Sequence, residues 1–318
     1  METPRPAATR AGKLNPLRVL VTGAGGYLGR SVVAALHNAG HEPVAMVHKP
    51  SEPIPGATAT RVAELLDVDA LREAVDGADA VCHLAGLTRA RESLLEPLRY
   101  FRVNTGGTIE LLDAMSDAGV PRLVFGSTGA IYGSPDQQPM DETLPDRAPH
   151  PYAASKLAAE LAIDAQARAL QLDAIIVRLF NVAGGSDPDP TRLIPRVISA
   201  AAHRTTLEIN GDGSSLRDYL HVGDAADAFV ACIDHTGAAG PAVRYNIGSG
   251  RETSVVDVVA AVQRVSGLTV PTIRRPAAAE PHALISNPSK AMAELGWSPA
   301  RSDIGTIVSD AWTAVTHR

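Results

Sequence analysis

The sequence predicts an α/β protein, a doubly wound parallel sheet with helices on both faces and a smaller C-terminal α/β lobe. Three observations predict it. From Leu17 to about Phe180 short β-branched runs alternate with helical stretches, the pattern of successive βαβ units. A glycine-rich turn follows the first of these runs, between a strand and a helix. After Asn181 the alternation gives way to Gly/Asp/Pro loops, "AGGSDPDP", "NGDGSS" and "RRPAAAEP", between shorter elements. The expected organisation is a disordered tail over residues 1–16, a sheet-forming unit over 17–180 and a ligand-facing lobe over 181–318, with some segments of the lobe returning to the first unit.

The strand runs are "LRVLVTG", "PVAMVH", "DAVCHLAG", "RLVFGST" and "DAIIVRLF". Between them lie periodic helices; over Leu94 to Ala118 the spacing of Leu98, Phe101, Ile109 and Leu112 predicts a buried stripe. In "VLVTGAGGYLGRSVVAAL" the glycines Gly23, Gly26 and Gly29 occupy the first strand-to-helix turn. There one glycine lets the turn close, one lets backbone approach phosphates, and one lets helix and strand pack tightly. That context predicts a Rossmann-type dinucleotide site, with the pyrophosphate on the helix N-terminus. The second strand ends in Val47, followed by His48 and Lys49, where an acid would accept from the adenosine 2′-hydroxyl. NAD and NADP are therefore both open as cofactor, with His48 and Lys49 able to meet a 2′-phosphate. Glu64, after a short strand, is placed to accept from the adenine amino group.

Composition narrows the function classes. The chain has 318 residues, 29 Lys and Arg against 35 Asp and Glu, and a net charge of −6, with no basic block to track a nucleic-acid backbone. The stretch Met1 to Pro16 has no apolar core or small-residue cleavage site, so neither signal peptide nor membrane anchor is expected. Cys82 and Cys232 are far apart, form no metal-ligand spacing, and read as reduced thiols of a cytoplasmic protein with no metal.

The chemistry is read from "HPYAASKLAAE" and "VFGSTGAIYG". Tyr152 and Lys156, four apart, share a helical face. Ser127 and Thr128 stand at the C-terminal end of a parallel strand, where ligands bind in such sheets. A phenol of ordinary pKa near 10 is a weak base at neutral pH, and a nearby cation favours its phenolate. The expectation is that Lys156 makes Tyr152 acidic, and that Tyr152 removes a proton from a sugar hydroxyl as hydride leaves the same carbon, with Thr128 bonding the same oxygen.

In order along residues 17 to 315, "TGAGGYLG", "HLAGLTRARES", "YFRVNTGGT", "GSTGAIYG", "PYAASK", "VRLFNVAGG", "RLIP", "GDGSSLRDYLHVGDAADA", "YNIGSG" and "NPSKAMAELGWSP" resemble an extended short-chain dehydrogenase/reductase of the UDP-glucose 4-epimerase type, within the NAD-dependent epimerase/dehydratase family. The resemblance implies Tyr152 as base, Lys156 as its orienting cation, Thr128 as hydroxyl partner, and Ser127 as a neighbour able to share that role. It implies that Tyr27, Leu28, Leu65, Leu84, Ala85, Gly86 and Asn104 line the cofactor. It implies that Thr88, Asn181, Arg192, Leu193, Asn210, Arg217 and Arg275 meet the substrate, Arg217 on the diphosphate, with Arg275 and Glu280 the nearest candidates for the family's arginine-and-acid clamp. Gly129 and Ala130 stand where dehydratases of the family carry Asp-Glu, which argues against 4,6-dehydration. Asn210 replaces an aromatic residue before "GDG" and Leu284 stands where side-chain size governs tolerance of an N-acetyl group, so base and sugar stay open. The implied activity is 4-epimerisation of a nucleotide-diphosphate sugar, a UDP-sugar by resemblance, through a transient 4-keto sugar. The rival activity is NADPH-dependent reduction of a 4-keto (deoxy)sugar, and a non-enzymatic nucleotide sensor is the third. A homodimer is implied through the helices around 94–118 and 151–170.

Overall fold

The computed structural model describes residues 15–170, 172–235, 240–277 and 281–316. Most of the expected N-terminal tail, and Glu280, lie outside these residues. Seven parallel strands make the main sheet: β1 (Arg18–Thr22), β2 (Glu42–Val47), β3 (Ala59–Val62), β4 (Ala80–His83), β5 (Arg122–Thr128), β6 (Asp173–Leu179) and a last strand, Val243–Ile247. From one edge the order is Val243–Ile247, β6, β5, β4, β1, β2, β3. The central strands are near-continuous apolar runs because both faces are covered: Val19, Leu20, Val21, Val81, Leu123 and Val124 are all fully buried.

Two cores sandwich the sheet. On one face helices Tyr27–Ala39 and Val222–Asp234 pack together over Val19, Val21 and Cys82, with Cys232 in the same cluster. On the other, helices Val68–Val75, Gly107–Asp117 and Pro151–Leu170 cover Leu20, Val81 and Phe125. A third core, around Val197, Val258, Val262 and Ile307, holds together the C-terminal helices Leu193–His203, Val255–Ser266 and Ile304–Thr316. The chain leaves the sheet after β6, contributes helix Leu193–His203 to that assembly, returns to pair Val243–Ile247 with β6 in register Tyr245 to Val177, and only then adds the other two helices.

The stripe expected over residues 94–118 is corrected by the structure. The segment is broken into Pro97–Tyr100, a π-helical Phe101–Gly106 and the α-helix Gly107–Asp117. Of the four stripe residues, Leu112 is buried, whereas Leu98, Phe101 and Ile109 are exposed at 64%, 37% and 42%. The π-helical stretch carries an extra residue per turn, which shifts the phase of the pattern, so Tyr100, Asn104 and Thr108 point inward instead.

Candidate active site

The strand order reverses about β1, which has β2 on one side and β4 on the other, and the resulting crevice opens at the C-terminal ends of the strands. Gly23 leaves β1 with φ +67°, and a Cβ there would lie 2.8 Å from the Ala85 amide nitrogen. A Cβ on Gly29 would lie 2.2 Å from the Gly23 carbonyl oxygen, so the helix rests directly on the turn's backbone. Gly26 caps helix Tyr27–Ala39 without a side-chain cap, and no acid stands in the first turn. The helix therefore presents unpaired N–H groups and its positive dipole end to the crevice, a fit for a dinucleotide pyrophosphate.

A cavity of about 1660 Å³ follows the strand ends. Single small-ligand pockets are commonly about 300–1,000 Å³, so this one has room for two ligands. In the order of the sheet it is lined by Glu64 and Leu65 beyond β3, His48 and Lys49 beyond β2, Gly23, Gly26, Tyr27, Leu28 and Gly29 beyond β1, and Leu84, Ala85, Gly86 and Thr88 beyond β4. Thr128, Tyr152 and Lys156 follow beyond β5, and Asn181, Arg192, Leu193, Asn210 and Arg217 close the far end.

At the centre Tyr152 and Thr128 line the cavity together, the Thr128 hydroxyl near enough to lower the phenol's pKa. Thr128 is fixed by its own turn, its Oγ1 accepting from the Ala130 amide at 3.1 Å. Lys156 is buried; its Nζ donates to the Gly126 carbonyl at 2.8 Å and stands 4.5 Å from the centroid of the Phe125 ring. Burial pulls its pKa down to about 8, with the Glu160 carboxylate holding it up. Tyr152 departs from the sequence expectation. Burial pushes its phenol above the ordinary range, and the opposing influences are the neighbouring Thr128 hydroxyl and the charge of Arg192. Lys156, spent on Gly126 and Phe125, is not what bears on the phenol here.

The family model for the NAD dependent epimerase/dehydratase family matches residues 19–248. The chain belongs to that family. It is 38% identical to a UDP-glucose 4-epimerase of Streptomyces lividans over 316 residues, covering 93% of this chain and 95% of the relative. A UDP-glucose 4-epimerase of Streptococcus mutans is 35% identical over 325 residues, 93% and 96% of the two chains. Among solved structures, the UDP-glucose 4-epimerase from Brucella ovis in complex with NAD superposes with TM-score 0.88 at 33% identity, covering 93% of this chain and 97% of that one. The enzyme from Stenotrophomonas maltophila, with bound NAD and formylated UDP-arabinopyranose, gives 0.86 at 30% identity, covering 94% and 97%.

Within this member of the family, several sequence-predicted residues act from behind the cavity wall. Asn104 lies outside the lining. Its Oδ1 accepts from the Leu87 amide at 2.7 Å, and its Nδ2 donates to the Leu87 carbonyl and to Ser155 Oγ, each at 3.0 Å. It therefore ties the loop after β4 to the helix of Tyr152, as a positioning residue. Behind the same loop a buried chain runs from Thr22 through His83 to Thr108, whose hydroxyl donates to the Asn104 carbonyl. For Thr108 to accept as well, His83 must be protonated on Nε2; burial, and then the charge of Lys156, lowers its pKa to about 3, so it is a neutral strut.

Ser127 lines the cavity, but its hydroxyl is engaged by a buried carboxylate. Its hydroxyl donates to Glu160 Oε1 at 2.5 Å. Glu160 and Arg178 are 0% and 1% exposed and form a fork at 3.1 and 2.7 Å, joined by Arg244 at 3.3 Å and by Asp146, 2.9 Å from Arg178. Glu160 continues the face of Tyr152 and Lys156 by one more helical step of four, a spacing that made it findable in the sequence. Ser127→Ala is accordingly expected to lower stability by about 1–3 kcal/mol, the penalty for leaving a buried charged acceptor short of a donor. Thermal unfolding reads that loss, and a kcat that instead collapsed as far as that of Thr128→Ala would assign Ser127 to the chemistry.

Arg275 does not line the cavity. It sits on the exposed strand Thr272–Arg275 and pairs with Glu208 at 2.5 Å. Arg217 does line it, with Nη1 donating to the carbonyls of Leu216 and Pro281 at 2.8 and 3.0 Å. Asn181 is exposed toward the cavity and anchored through Nδ2 to the Asp218 carbonyl at 3.0 Å. Arg192 caps helix Leu193–His203, pairs with Asp187 at 3.3 Å and lies 5.7 Å from the Tyr27 ring centroid. Tyr27, which burial holds well above the usual phenol range, donates to the Gly184 carbonyl at 2.5 Å.

Proposed function

We propose that this protein interconverts the C4 epimers of a nucleotide-diphosphate sugar, a UDP-sugar, using a bound nicotinamide dinucleotide. The observation that carries the reading is the Tyr152–Thr128 hydroxyl pair at the C-terminal end of β5, inside a cavity with room for two ligands, in a chain whose relatives are named UDP-glucose 4-epimerases.

Tyr152 takes the proton of the C4 hydroxyl and later returns it to the C4 oxygen, while Thr128 holds that same oxygen. The nicotinamide ring, when bound, supplies the carbon that accepts and gives back hydride, together with a positive charge that favours phenolate. Lys156 keeps its charge beside the Gly86 loop and Gly126. Arg217 grips the diphosphate, leaving the sugar loosely held so that its other face can be presented. Gly129 and Ala130 after Thr128 offer no acid–base group for elimination.

Leu98, Ile109 and Leu161, on helices that pack side by side, and Leu94 and Leu95 in the turn before Pro97 are 42–84% exposed. An apolar face of this kind supports a homodimer formed through it. Two buried, unpaired thiols, Cys82 and Cys232, suit the cytoplasm; no helix among the described residues is long and apolar enough to cross a membrane.

The test is to incubate the protein with UDP-glucose and follow the anomeric signals by NMR alongside nicotinamide absorbance. Appearance of UDP-galactose with no net change in reduced nicotinamide is expected. Stoichiometric consumption of NADPH on a 4-keto sugar, without epimerisation, would replace this reading with reduction.

A further inference from the structure

The adenosine end of the cavity differs from an NAD site in a way that the distances make specific. β2 ends in Val47, which is 5% exposed, and its side chain lies over the glycine turn: a Cβ built on Gly25 would be 3.5 Å from Val47 Cγ1. Residues 46 to 51 read Met-Val-His-Lys-Pro-Ser, with no carboxylate. A ribose lying between the glycine turn and the tip of β2 therefore meets methyl groups where an acceptor for its 2′-hydroxyl would stand. Two acids are close in sequence. Glu64 lines the cavity one strand further out, its neighbour Ala63 donating to the Val47 carbonyl at 3.0 Å, and Glu52 is exposed and outside the lining.

Basic side chains gather where the acid is missing. His48 and Lys49 are exposed and line the cavity. Arg30, in the first turn of helix Tyr27–Ala39, lines the same end, and its Nε donates to the Gly25 carbonyl at 3.2 Å, which holds the guanidinium against the glycine turn. Among the described residues none of these three side chains has a carboxylate partner. In a chain whose net charge is −6, a guanidinium, an ammonium and an imidazole with no carboxylate between them at one end of a ligand cavity are a local reversal of sign.

We propose that this site is built for NADP rather than NAD, with Arg30, His48 and Lys49 receiving the 2′-phosphate that replaces the hydroxyl Val47 cannot bind. The proposal rests on the reading above that the cavity holds a nicotinamide dinucleotide. A 2′-phosphate brings a charge of about −1.5 to −2 and three acceptor oxygens, the complement of a guanidinium fork and an ammonium. Without it the Arg30 and Lys49 charges would face an apolar floor with no anion between them.

The experiment has two parts. First, the purified full-length protein is denatured and the released nucleotide identified by mass. Second, NADP and NAD are titrated separately into the wild type, Lys49→Ala, Arg30→Ala and Val47→Asp, with protein fluorescence reporting binding. The released nucleotide is expected to be NADP. Lys49→Ala and Arg30→Ala are each expected to weaken NADP about tenfold or more, the size of one lost charge-assisted hydrogen bond, while NAD changes less than about threefold. Val47→Asp is expected to reverse the preference. Release of NAD alone, or equal weakening of both nucleotides in the cation variants, would overturn the proposal. Epimerisation is measured on the same preparations. Turnover with NAD bound would sink this inference and leave the function standing, whereas bound NADP without turnover on any UDP-sugar would do the reverse.

Discussion

Tyr152→Phe is expected to lower kcat by about 10²–10⁴-fold, the usual range for a positioned acid–base group, while nucleotide-sugar binding changes little. The phenylalanine keeps the ring that packs edge-on to Tyr100 at 6.4 Å and lies parallel to His150 at 5.9 Å, so the fold around it is preserved. What it removes is the hydroxyl that meets Thr128. Steady-state kinetics with calorimetry of UDP binding separates the two effects. Turnover within threefold of wild type would remove Tyr152 from the mechanism. Because burial, and to a lesser extent Tyr100, pushes this phenol up, the hydroxyl depends on cationic neighbours for its basicity. Arg192 is one of them, and its substitution should shift the pH profile of kcat toward higher pH.

Glu160→Gln is expected to destabilise the protein by about 3–5 kcal/mol, the typical cost of breaking one partner of a buried ion pair. For a chain of this size that corresponds to a fall in Tm of roughly 10 °C. The amide cannot satisfy Arg178, Arg244 and Ser127 together, and Arg178 would keep Asp146 as its remaining acid. Differential scanning calorimetry checks the size. A shift below 2 °C would mean that Arg178 is satisfied without Glu160. A double variant with Arg178→Gln should lose less than the sum of the two single changes, because the partners are coupled.

These expectations mark where the sequence was readable. The glycine turn, the strand ends and the Tyr152–Lys156 spacing were legible because each is a local requirement: a φ that glycine meets, a run of β-branched residues, a helical step of four. The exposed Leu98 and Ile109 were misread because an apolar stripe has the same period whether it faces a core or solvent, and the π-helical turn at 101–106 shifted its phase. The charge environment of Tyr152 was not legible either. It depends on where Lys156 Nζ ends, and the Gly126 carbonyl that takes it is thirty residues upstream. Asn104 was found as a motif residue, yet its action from behind the wall follows from two contacts seventeen residues away at Leu87.

The return of Val243–Ile247 to the sheet decides how the molecule can be divided. Without that strand β6, whose Ile175, Ile176 and Val177 are almost wholly buried, would present a row of unpaired amides and carbonyls to solvent. A fragment stopped near residue 180 would carry the complete glycine turn and the Tyr152 helix and still be a template for strand addition by its own copies. The C-terminal part thus serves as a built-in guard against aggregation as well as a wall of the ligand cavity, and for that reason the first unit is expected to be insoluble when expressed alone.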